Sequence, residues 1–181
     1  MRLSRPSPLY YILPLATLPA FAADNPAAHQ HGHATLQVVM EGPTLSVLLD
    51  SPAHNLLGFE HRPVTADEHH QLNQATEWLT TTPLLTGNGI VCEVQSADVA
   101  TGLNEDDHEH SEHHSASDLG HFDVEVTQQI SCNDQPDDGV WTSPLTEQFE
   151  HMQQLDVEWI SPQGQGASRL TSRDRSFRVT P

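Results

Sequence analysis

The chain has 181 residues, enough for one domain with its own core or for two small lobes. Its 25 acidic residues outweigh 7 basic ones, the formal net charge is −18, and lysine is absent. Such a surface cannot follow a phosphate backbone or hold an anionic bilayer, so nucleic acid and lipid are poor partners and cations are natural ones.

Residues 1–22 read as a cleaved signal peptide. Arg2 and Arg5 make a basic start, Leu9 to Leu18 is a short apolar run broken by Pro14, and Ala20-Phe21-Ala22 is a small-x-small cleavage pattern. The mature chain then starts at residue 23, with no stable membrane insertion expected. An N-terminal lobe over 23–100 opens with His29-Gln30-His31-Gly32-His33. A strand carrying Leu36, Val38 and Met40 follows, then a turn at Glu41-Gly42-Pro43, then a strand carrying Leu45, Val47 and Leu49. Together they predict a hairpin. An irregular stretch over 51–61 leads to a helix with a capping box at Thr65 and Glu68 and a buried stripe of Leu72, Ala75 and Leu79. A Gly87-Asn88-Gly89 turn feeds a strand around Cys92.

Residues 101–120 break the pattern. They are poor in apolar residues and dense in His, Asp, Glu and Ser, so they form an insertion expected to be mobile without metal. A C-terminal lobe over 121–181 begins with the clearest strand, in which Phe122, Val124, Val126 and Ile130 share one face. A short helix after Ser143-Pro144 carries Leu145, Phe149 and Met152. Leu155, Val157 and Trp159 mark another strand, and Phe177 with Val179 a last edge. The fold class expected is α+β: mostly antiparallel strands, two main helices, and two similar strand-helix-strand lobes or a single domain over 23–181. Cys92 and Cys132 both sit in strands and suit an interlobe disulfide, with a Cys₂His₂-type metal site as the rival.

The chain holds 13 histidines, most of them bunched. Neutral imidazole suits Zn²⁺, and three or four converging nitrogens make a site. His29, His31 and His33 alternate, so an extended backbone puts them on one face; a frayed tail is the plain alternative. His108, His110, His113 and His114 lie among acidic residues and suit weaker, multiple, exchangeable binding, against a solvated spacer. His61 precedes Pro63, where the backbone is stiff; a structural histidine is the alternative. His69 lies at the margin of the helix stripe within reach of His61 or the N-terminal trio, beside an outward-facing His70, and His121 opens the strand after the insertion. His54 and His151 read as structural or solvent-facing. No GxSxG, HExxH or Walker loop is present, so no enzyme activity is expected. Cu²⁺, Ni²⁺ and Co²⁺ stay chemically open beside Zn²⁺, because imidazole affinity does not single out zinc.

The run from His29-x-His31-Gly32 through Ser51-Pro52-Ala53-x-Asn55-x-x-Gly58-Phe59-Glu60-His61 resembles the ZrgA-type zinc-uptake family. Cys92, Phe122-x-Val124, Cys132, Leu155-x-Val157 and Pro162-x-Gly164-Gln165 extend the resemblance over nearly the whole mature chain. It implies a mixed α and β fold and a periplasmic zinc carrier working beside an ABC-type zinc importer. His29, His31 and His61 match the pattern, and 105–121 matches its variable histidine-rich segment. His33 and His54 depart from it. Capture of several Zn²⁺ per chain in support of import is the expected function. A periplasmic metal buffer without a transporter partner, or a structural protein with incidental histidines, are the alternatives.

Overall fold

The structure is a computed structural model that describes residues 30–102 and 122–179. β1 (His33–Glu41) and β2 (Thr44–Pro52) form the expected hairpin, with Val38 opposite Val47. Ala34, Leu36, Val38, Met40, Leu45, Val47 and Leu49 are all buried, as a period of two requires for a sheet with one face on the core. The stretch after β2 is not irregular throughout. Residues Ala53–Leu57 form helix α1, which Gly58 ends in the left-handed conformation at φ 80°. Helix α2 (Ala66–Thr81) starts at Thr65 with a complete capping box; Ala75 and Leu79 are buried and Leu72 half-buried.

A short strand, β3 (Thr86–Gly87), leads to β4 (Cys92–Thr101), and the second half of the described chain starts with β5 (Asp123–Cys132). Phe122, Val124, Val126 and Ile130 are buried on one face, and Gln128 joins them. Its amide replaces the backbone partners that are missing where α2 ends. Nε2 donates to the carbonyls of Leu79 and Thr82, and Oε1 accepts from Leu84 N–H. Cys92 and Cys132 face each other across β4 and β5 and form a disulfide.

β6 (Val140–Thr142) precedes the one-turn helix α3 (Leu145–Gln148), then come β7 (Gln154–Ser161), β8 (Gly164–Thr171) and β9 (Ser176–Arg178). The main sheet runs β4-β5-β2-β1-β7-β8, and β3-β6-β9 make a small second sheet. All pairings are antiparallel except β1 with β7, where Leu36 lies beside Val157. Strands from both expected lobes thus interleave in a single sheet. The helices and the small sheet join one continuous core with it, including Trp141, Leu145, Phe149, Met152 and Phe177. No helix among the described residues is long and apolar enough to cross a membrane.

Candidate metal site

Three segments meet where β1 and β7 begin and β2 ends, and Gly32 is their junction. Its φ of +82° turns the chain just ahead of β1. Gly32 N–H donates to Asn55 Oδ1 at 2.6 Å, and its carbonyl accepts from Gln153 and Gln154 N–H at 2.9 and 2.8 Å. A Cβ at this position would press on the Gln153 side chain at 3.2 Å. Asn55 is fully buried on α1, and its Nδ2 donates to His33 carbonyl at 2.7 Å and Ser51 Oγ at 3.2 Å. One amide therefore fastens the His31-Gly32-His33 turn to α1, while Gly32 fastens it to the turn after α3.

The consequence is a row of three imidazoles. The His31 and His54 rings stack with centroids 4.4 Å apart and planes 7° off parallel. His54 and His151 lie 5.1 Å apart at 55°. Gly58 leaves room for this last ring: a Cβ there would sit 3.0 Å from His151 Nε2. His31 Nε2 is 2.6 Å from Glu60 Oε2. His54 Nδ1 is buried with no hydrogen-bond partner. Burial, and then the charges His31 and His151 would carry, hold the His54 pKa below its ordinary value, with Glu60 opposing.

A second station lies next in sequence to Glu60. His61 Nε2 is 3.1 Å from Glu68 Oε1, and the Phe59 ring flanks the His61 ring at 5.2 Å. Glu68 Oε2 accepts from Val64 and Thr65 N–H, each at 2.9 Å. Those backbone donors, before the Thr65 hydroxyl and His61, draw the Glu68 pKa down to about 2.

No three His, Cys, Asp or Glu side chains among the described residues form a ready ligand set around one point. The stacking explains this for His31 and His54, because lone pairs of parallel rings lie in parallel planes. A tetrahedral zinc at about 2.0–2.1 Å from each nitrogen needs converging lone pairs, so one ring must turn.

Of the histidines singled out in the sequence, His31 and His61 fall at these stations. Between His31 and His33 the backbone is not extended, because Gly32 turns it; His33 starts β1 and bears electrostatically on Asp156. His69 and His70 are exposed on α2. His29, His108, His110, His113, His114 and His121 lie outside the described residues, as do the signal-peptide segment and most of the insertion. The structure adds His54 and His151, which the sequence alone reads as structural or solvent-facing, together with Glu60. Nothing local in the chain marks His151. For His54 the available signal is its neighbours Asn55 and Gly58, which build the turn around it.

No curated protein gives a significant match to this chain. The family model for ZrgA family zinc uptake proteins matches residues 28–179, which takes in both stations, both cysteines and every described strand. The chain belongs to the ZrgA family of zinc uptake proteins.

Proposed function

We propose that the chain is a periplasmic binding protein that captures Zn²⁺ and supports its import with an ABC-type transporter. The observation that supports this most directly is the row of His31, His54 and His151 with Glu60 against its outer ring. Three imidazoles and a carboxylate are a donor set that zinc accepts. One nitrogen of His54 is already stripped of water and unpaired, so coordination there costs little further desolvation. His31, whose side chain is 52% exposed, is the ring with room to turn toward such a convergence.

In this reading His61 supplies a further ligand, and His108, His110, His113 and His114 collect ions among acidic neighbours before the ordered stations hold them. Several zinc ions bind per chain, and the chain itself carries out no reaction. The cargo must be released as well as held, which suits a half-open row of rings better than a closed cage.

Calorimetric zinc titration of the mature protein tests the assignment. Replacing His31, His54 and His151 together by alanine removes the tightest binding event and leaves weaker ones. Retention of the tightest event in that variant overturns the site. Binding also needs neutral imidazoles and weakens steeply below about pH 6, near the ordinary histidine pKa. Equal affinity at about pH 7.5 and 5.5 rules out histidine ligation.

A further inference from the structure

We propose that Glu68 is a positioning residue for zinc at His61: it holds the ring as the Nε2–H tautomer and leaves Nδ1 as the atom that binds the metal. This rests on zinc being the cargo and His61 one of its ligands.

At neutral pH a carboxylate only accepts hydrogen bonds. Glu68 Oε1 faces His61 Nε2 at 3.1 Å, so that nitrogen must carry the hydrogen. A neutral imidazole has one remaining lone pair, and it is then on Nδ1. Glu68 cannot swing aside to relax the constraint, because Oε2 is held by Val64 and Thr65 N–H at 2.9 Å each. Only that oxygen is needed to cap α2; the second is spare, and it is the one turned to the histidine. Pro63 is buried in this loop and the Phe59 ring lies 5.2 Å from the His61 ring, tilted at 45°, so the backbone and the ring have packing partners as well. A helix cap fixes a carboxylate, and the carboxylate fixes a ring. Outer residues of this kind orient the metal-binding histidine and raise its basicity.

The same geometry makes Glu68→Gln a sharp variant. The two backbone N–H groups require an oxygen, so the amide nitrogen of glutamine must face His61. An amide NH₂ donates, which forces His61 to accept at Nε2 and moves its hydrogen to Nδ1. The cap survives and the ligand atom is lost.

The experiment is a set of long-range proton–nitrogen correlation spectra of the mature protein labelled at histidine, with Zn²⁺ as the probe, for wild type, Glu68→Gln and His61→Ala. Wild type should show His61 as the Nε2–H tautomer, with Nδ1 shifting as zinc is added. Glu68→Gln should keep the helical circular-dichroism signal, show the Nδ1–H tautomer, and require about 10–100-fold more zinc to perturb His61. An Nδ1–H tautomer in the wild type overturns the proposal without recourse to any variant. A zinc shift at Nε2, or unchanged zinc response in Glu68→Gln after its tautomer has flipped, does so as well. If His61→Ala leaves zinc binding intact while replacement of His31, His54 and His151 abolishes the tightest event, Glu68 has no such role and zinc capture stands. If neither change affects binding, both ordered stations fail as zinc sites, and if the wild type takes up no zinc the zinc reading itself fails.

Discussion

The two histidine stations are built over very different distances along the chain. His61 and Glu68 are held by one loop and the first turn of α2, all within a short run of sequence. His31, His54 and His151 come from three separate segments that Gly32 and Asn55 tie together. A locally built station survives most damage to the sheet, whereas a long-range one is as fragile as the packing that assembles it.

The broadest challenge to both is removal of the Cys92–Cys132 disulfide, whose partners are 40 residues apart. Replacing both by serine should lower stability by about 4 kcal/mol in the chain-entropy model, read by urea denaturation. It should leave zinc affinity at either station unchanged in whatever fraction stays folded. Asn55→Ala separates the stations more sharply. It strands Gly32 N–H and His33 carbonyl and should cost about 3 kcal/mol. Ring-proton NMR should then show His31 and His54 no longer stacked and His61 undisturbed. Equal disturbance of His61 would show the two to be coupled.

Gly58→Ala places a side chain at φ 80° and against His151, for about 1–2 kcal/mol, and should weaken only the three-ring site in a zinc titration. Thr65→Ala removes half of the capping box, costs about 1 kcal/mol, and should loosen only His61 and Glu68, seen as faster exchange of the first amides of α2. The smallest effect is that of pH on His54. Its folded-state pKa is lowered, so the unfolded chain takes up the proton first. Stability from this source is full above about pH 6.5 and declines as pH falls through the folded-state value. His54→Asn should flatten the fall in Tm between about pH 7 and 5.

The same contrast of range explains what can be read in advance. The hairpin of β1 and β2, the β5 face and the Thr65–Glu68 box write themselves in nearby residues, through a period of two or a fixed spacing, and the cysteine pairing follows from there being two cysteines, each in a strand. Helix α1 is five residues long, too short for any period to show, and it hides behind Pro52. β8 carries Gly164, Gln165, Gly166, Ala167 and Ser168, with hardly an apolar side chain to alternate. Gln128 sits where the strand pattern wants an apolar residue, and only the position of the α2 carbonyls makes sense of it. The alternation of His31 and His33 implies one face only where the backbone is extended; a left-handed Gly32 undoes it. His151 carries no local signal and His54 only the indirect one of Asn55 and Gly58, since what brings the two rings together is a tertiary contact.

The parallel pairing of β1 with β7 also orders events in time. A chain released N-terminus first presents His31 and His54 early, but the strand that seats His151 is among the last to arrive. Pairing across so much intervening chain is slow compared with closure of a hairpin. Until it happens His31, His54 and His151 remain unassembled. The three-ring row is therefore complete only late in folding, whereas the pair of His61 and Glu68 needs no strand beyond α2.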